Sequence, residues 1–182
     1  MYKKIEYSVE KHNFVKLLKN LYNIETLEML HESLTSNFFI PDGIKGLGLD
    51  TSSIFHRKFY DKLDFGWEEI RSLYTKFILE VISPLFPQED KLIYQAFPTY
   101  RIQYPNNKAI TTIHTDSDIA HQHPSGEINF IIPLTQMRES SAPWVESFPG
   151  IGDYSPMEGS PGDLFMWDGN RCSHFNKANQ TG

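Results

Sequence analysis

Apolar residues change their spacing near residue 91, and the structure they predict changes with it. Phe14, Val15, Leu17, Leu18 and Leu21 fall close to a 3.6-residue period and predict a helix over Glu10–Leu21. A second short helix is expected over Glu25–Leu34, so residues 1–40 read as helical. Pro41, Asp42 and Gly43 mark a turn. With glycines at 43, 46 and 48, residues 43–54 read as a loop, either a plain connector or one near a site. The clearest helix spans residues 67–83, where Ile70, Leu73, Tyr74, Phe77, Ile78, Val81 and Ile82 mark one apolar face. Pro84 and Pro87 end it. A helix of this kind is suited to covering one face of a sheet.

Beyond residue 91, short runs of strand-forming residues alternate with Pro, Gly, Asn and Asp. Strands are expected over Lys91–Phe97, Thr99–Tyr104, Ile110–Asp116, Glu127–Leu134, Pro143–Ser147, Leu164–Trp167 and Cys172–Asn176. Pro105-Asn106-Asn107 and Pro161-Gly162-Asp163 read as turns, and Asp168-Gly169-Asn170 as a loop. The fold class is therefore mainly β with N-terminal helices, arranged as a double-stranded β-helix, or jelly-roll, barrel. Residues 1–90 serve as mostly helical support and 91–182 as the β core of one domain.

Composition narrows the class. A chain of 182 residues is long enough to bury a core, and 14% aromatic content argues against disorder. The net charge of −6 argues against a nucleic-acid partner, which wants a basic patch. No apolar run is long enough to span a membrane, and Met1–Glu6 lacks the apolar segment of a signal peptide. A single cysteine, Cys172, excludes an intramolecular disulfide and fits a reducing cytoplasm. The expected partner is a small-molecule substrate.

The candidate chemistry centres on His114-Thr115-Asp116 and the distant His174. On a strand, residues i and i+2 share a face, so His114 and Asp116 can reach one metal ion. His174 completes a set of two imidazoles and one carboxylate, the facial triad of non-haem Fe(II) oxygenases. The bland alternative makes His114 an ordinary strand residue and Asp116 the start of a turn. A rival constellation, His121-Gln122-His123 followed by Glu127, has the HxH-x3-E spacing of a cupin metal site and could also recruit His174. Pro124-Ser125-Gly126 interrupts that segment, which favours His121 and His123 as loop residues rimming a pocket, touching substrate or merely solvated. Glu127 and Asn129 share one face of their strand, where they meet substrate or co-substrate or else make a structural hydrogen bond. Trp144 and Trp167 read as core, Cys172 as a buried thiol, Asp118 as a loop residue, and Glu146 as polar lining or surface. His12, His31 and His56 have no evident partner, and His56-Arg57 reads as an exposed pair.

Taken together, Tyr104-Pro105, His114-Thr115-Asp116, Pro161-Gly162-Asp163-Leu164-Phe165 and His174 resemble the Fe(II)/2-oxoglutarate-dependent oxygenases. The resemblance runs from about residue 99 onward, roughly half the chain. Within it, Gly126–Phe130, Trp144–Ser147 and Gly169–Cys172 with His174 resemble oxygenases associated with streptomycin biosynthesis. The resemblance implies Fe(II) held by His114, Asp116 and His174, with 2-oxoglutarate as co-substrate and Tyr104 hydrogen-bonding its distal carboxylate. It also implies a basic residue on a last strand to pair with that carboxylate, where an arginine fork fits well. The sequence stops at Gly182, just before that place, so either the anchor lies further on or Arg101 or Arg171 supplies it. A missing last strand would leave an edge that invites pairing with a second copy, a homodimer. The expected activity is hydroxylation of a small molecule, a sugar or natural-product intermediate. The alternatives are a cupin-type metal enzyme and a jelly-roll binding module with a degenerate site.

Overall fold

A computed structural model describes residues 2–33, 53–105 and 112–181 of the protein. The turn expected at 41–43, most of the loop expected at 43–54, and the start of the strand expected from Ile110 lie outside the described residues. The elements are β1 (Lys3–Glu6), α1 (Phe14–Tyr22), a 3₁₀ segment (Leu27–Ser33), α2 (Ile54–Asp64) and α3 (Glu68–Phe77). Short strands follow: β2 (Asn129–Ile131), β3 (Pro143–Val145), β4 (Ser155–Pro156), β5 (Asp163–Trp167) and β6 (His174–Asn176).

The helices form where capping and an apolar stripe agree. The Asn13 side chain accepts the Lys16 N–H at the start of α1, and Asn23 closes the helix in the left-handed conformation. Ser53 caps α2, which buries Phe55, Phe59 and Leu63 at i, i+4 and i+8. The helix expected over 67–83 is continuous, but α3 gives way to a π-turn at Ile78–Ile82 and a 3₁₀ turn at Ser83–Leu85, where Pro84 sits. Pro84 has no N–H to continue an α-helical ladder.

Two expectations at the front of the chain are corrected. Residues 3–6 form a strand, not a helix, and α2 occupies residues read as no element. Further on, Lys91–Phe97 and Thr99–Tyr104 form no strand among the described residues, and Ile93 and Tyr94 face solvent. The strands expected at 127–134, 143–147 and 172–176 are present in shortened form.

The strands form two three-stranded antiparallel sheets, ordered β1-β5-β2 and β4-β3-β6. Among the described residues the protein is a mixture of helices and small antiparallel sheets, and these sheets do not close into a barrel. Neighbouring residues of β5 show how the layers stack. Leu164 packs with Phe14, Phe77, Ile78 and Ile82 on the helical side. Phe165 points the other way and packs with Val145 of the second sheet and with Met157 and Cys172 just outside its strands. The first sheet thus lies between helices and second sheet. A further core, with Phe59 stacked on Tyr100 at 4.6 Å, holds α1, α2 and the start of α3 together.

Glu146 is neither lining nor surface: it is 1% exposed. Burial alone would raise its pKa, but N–H groups of Ser173 and Gly152 donate to its two oxygens at 2.6 and 3.0 Å and bring the pKa down to about 2. A carboxylate depressed in the folded state stabilises the fold above its unfolded pKa and loses that contribution as pH falls through the folded one. Glu146→Gln is therefore expected to lower stability at neutral pH and to narrow its deficit relative to wild type between about 4.5 and about 2. Urea unfolding of both proteins across that window checks this. A pH-independent difference would contradict it.

Candidate metal centre

Four chain segments meet at one end of the two sheets. His174 opens β6, and its backbone exchanges hydrogen bonds with His114, N–H to O in both directions at 2.9 and 3.1 Å. Residue 114 thereby extends the second sheet as a single bridge rather than a full strand. Asp116 follows, its N–H bonded to the Gly169 carbonyl at 2.8 Å just past the end of β5. Asn129, at the start of β2 and paired with Trp167 of β5, reaches Asp116 from the other sheet.

Each of the three side chains is held in one orientation. The His114 Nδ1–H donates to the Thr112 carbonyl at 2.8 Å, and the His174 Nδ1–H donates to the Cys172 carbonyl at 3.1 Å. With the proton fixed on Nδ1, each neutral ring keeps its lone pair on Nε2. Both Nε2 atoms look toward Asp116 Oδ1, at 3.7 Å from His114 and 3.5 Å from His174. The other carboxylate oxygen, Oδ2, accepts the Asn129 amide at 2.9 Å, and the Gly169 N–H donates to Asn129 Oδ1 at 3.0 Å. Gly169 is required here: a Cβ would collide with Asp116 Oδ2 and Asn129 Oδ1.

The donor set suits a divalent metal ion. The three ligand atoms lie within 4.8 Å of one another, and among the described residues they form a group able to share one ion. Two ligands at right angles around a transition ion with bonds of ~2.1 Å stand ~3 Å apart, close to the 3.7 and 3.5 Å from Asp116 Oδ1 to the two imidazoles. Two lone pairs and a carboxylate oxygen facing one point repel each other unless a cation lies between them. Burial would lower the His174 pKa, yet its hydrogen bonds with Asp116 and the Cys172 carbonyl raise it; His114 is lowered, chiefly by burial. Asp116, which burial would raise, is lowered by His174, by His123 and by Asn129. A proton on His174 stands where a metal cation would.

The other expected site residues are placed as follows. The His121 ring lies 4.4 Å from that of His114, tilted by 30°, and its Nδ1 is bonded to Asp118 Oδ1 at 2.8 Å. Asp118 is thus the partner that fixes His121. His123 pairs with Glu127 at 3.0 Å, and its N–H donates to the Asp116 carbonyl. His121 and His123 lie in an exposed turn-rich segment and are not gathered with His174 on one ion, unlike the cupin arrangement. Asn129, expected against co-substrate, makes the alternative structural hydrogen bond to Asp116. Tyr104 is buried in the helical core, where its hydroxyl donates to Ser53 at 2.6 Å. Arg101 is exposed, and the Arg171 side chain is 68% exposed with Asp168 as its ionic partner at 3.9 Å. Cys172 is a buried thiol, as expected, with its pKa raised by burial. Trp167 sets its ring edge against His174 at 5.8 Å. His56 is buried, not exposed, with Nδ1 2.8 Å from the Ser53 hydroxyl. His12 is buried and reaches Glu80 at 3.3 Å, and His31 lies 3.8 Å from Glu32.

Sequence reasoning missed the roles of Gly169 and Asn129 as a unit. Only the fold brings the N–H of a loop glycine onto a strand asparagine forty positions away, whose amide in turn bonds the Asp116 carboxylate.

Comparison with known proteins agrees with part of the resemblance. The chain is 27% identical over 180 residues to the streptomycin biosynthesis protein StrG of Streptomyces griseus, covering 99% of this chain and 78% of that protein. The similarity is thus not confined to the site half. No family model matches the chain, and no solved structure matches it. No helix among the described residues is long and apolar enough to cross a membrane.

Gly169→Ala is expected to displace Asp116 and Asn129 and to weaken divalent metal binding ~10–100-fold, as loss of a ligand-orienting contact typically does. Calorimetric titration of Fe(II) or Co(II) under anaerobic conditions reads this directly. Unchanged affinity would show that Asp116 does not depend on the glycine.

Proposed function

We propose that the protein is an Fe(II)/2-oxoglutarate-dependent oxygenase that hydroxylates a small molecule. The observation that carries the reading is the convergence of His114 Nε2, His174 Nε2 and Asp116 Oδ1, with the HxD spacing and a distant histidine. Two imidazoles and one carboxylate are the protein ligands that leave iron open positions for other groups. In this reading the two small sheets are part of a double-stranded β-helix. The name of the StrG relative supports a substrate among sugars or natural-product intermediates. The single buried thiol fits a reducing, cytoplasmic setting.

His114, Asp116 and His174 would hold the iron. When bound, iron with 2-oxoglutarate and dioxygen supplies the oxidising power to hydroxylate a C–H bond while the co-substrate becomes succinate and carbon dioxide. The chain's own residues supply geometry. Asn129, oriented by the Gly169 N–H, keeps Oδ2 of Asp116 occupied, which leaves Oδ1 facing the ion. The carbonyls of Thr112 and Cys172 fix the tautomers of the two imidazoles. His121, braced by Asp118, covers a face of His114, and His123 with Glu127 flanks Asp116. These two pairs are the groups placed to meet substrate at the rim.

Asp116→Ala is expected to lower Fe(II) affinity more than ~100-fold and to abolish Fe(II)-dependent turnover of 2-oxoglutarate to succinate. His123→Ala is expected to retain metal. Anaerobic titration and succinate assay of both variants test the reading. Metal binding that survives loss of Asp116 and fails on loss of His123 would replace it with the cupin alternative.

A further inference from the structure

The buried carboxylate of Glu146 has a relation to His174 that its role as a brace does not exhaust. Glu146 immediately follows Val145, the residue paired with His174 across the second sheet. Its backbone N–H donates to the Ser173 carbonyl at 3.1 Å, and its Oε1 accepts the Ser173 N–H at 2.6 Å. The Ser173 N–H belongs to the same peptide group as the Cys172 carbonyl. That carbonyl accepts the Nδ1–H of His174 at 3.1 Å. A single amide plane therefore links a buried anion on one side to a candidate ligand imidazole on the other. The order is Glu146 Oε1, Ser173 N–H, Cys172 C=O, His174 Nδ1–H and finally Nε2.

An amide whose N–H donates to an anion carries more negative charge on its carbonyl oxygen, because hydrogen bonds in a chain polarise one another. A stronger acceptor at Nδ1–H makes Nε2 a more basic donor to metal and penalises the tautomer that would block Nε2 with a proton. Carboxylates that bond directly to a ligand histidine act in this way. Here the peptide group stands between the two. The second oxygen of Glu146 is occupied by the Gly152 N–H at 3.0 Å, so the anion is fully held and cannot swing away from Ser173. His114 has no such extension in the described contacts: its Nδ1–H goes to the Thr112 carbonyl, in an exposed stretch.

We infer that Glu146 is a positioning residue of the metal centre, acting on His174 through the Cys172–Ser173 peptide group to fix its tautomer and strengthen Nε2 as a ligand. This rests on the metal-centre reading above for its consequence, but the relay can be read without metal. Glu146→Gln keeps size and removes charge. In the variant, metal-free and above the imidazole titration range, long-range ¹H–¹⁵N spectra of the histidine rings are expected to show His174 shifting from the Nδ1–H toward the Nε2–H form, with His114 unchanged. Anaerobic Co(II) titration of the same variant is expected to show ~10–100-fold weaker binding. The thermal stabilisation given by metal should shrink as well, beyond any loss of metal-free stability.

An unchanged His174 tautomer and unchanged Co(II) affinity in a folded variant would overturn the relay while leaving the metal centre intact. Equal changes at both histidines would also overturn it, since a general structural brace would act on both. Should Glu146→Gln fail to fold, the wild-type spectrum decides: the relay demands a His174 Nδ1–H proton shifted further downfield than that of His114, which lacks the anion, and equal shifts or an Nε2–H form overturn it. Wild-type protein that holds no Co(II), with His174 in the Nδ1–H form, would overturn the metal-centre reading and, with it, the role of Glu146 as a positioning residue.

Discussion

The division of labour between the two oxygens of Asp116 is the constraint on which the site depends. Oδ2 is committed to Asn129, and Asn129 is committed to the Gly169 backbone. Oδ1 is left facing two imidazole nitrogens whose protons are anchored on the far side of each ring. Oδ1 is thereby the oxygen turned to both imidazoles, where a proton on His174 or a metal cation can meet it. Held as it is, it can complete a ligand set only if a cation joins the three donors.

The architecture exists to make that division possible. β5 places Leu164 against the helices and Phe165 against the second sheet, so it fixes the spacing of the layers. Its end at Trp167 leads directly into Gly169, beside Asn129 at the start of β2. The second sheet delivers His174, and the single bridge from His174 brings His114 into place. Ser117 and Asn170 tie the following loop down: the Ser117 hydroxyl donates to the Asn170 carbonyl, and the Asn170 amide donates to the Pro124 carbonyl at 2.7 Å. Ligands that come from separate segments are thus set by backbone hydrogen bonds, which are stiffer than side-chain packing on an open surface.

Much of the site was legible because its chemistry is local in sequence. An HxD tripeptide forces its two ligands onto one side of an extended segment, and the Gly-Asp turn before β5 anticipates a late strand followed by His174. What escaped was set by tertiary contacts. Lys3–Glu6 is too short and polar to announce a strand, and it exists because β5 offers an edge with Ile5 opposite Leu164. α2 was overlooked because its stripe is narrow and its remaining positions are charged, although Ser53 followed by Phe55, Phe59 and Leu63 is a capped helix signal. Lys91–Phe97 has strand-forming residues but pairs with no strand among the described residues, and propensity without a partner does not make a strand. Glu146 reads as polar lining or surface because nothing in its neighbours shows that the backbone N–H groups of Gly152 and of the distant Ser173 will converge on it.

X-ray absorption spectroscopy of Co(II)-loaded protein tests the central claim most directly, because it reports the ligands of the bound ion without requiring a known substrate. The account predicts a first shell of two imidazoles with the remaining donors oxygen. A shell with three or more imidazoles, or with the sulfur of Cys172, would contradict it.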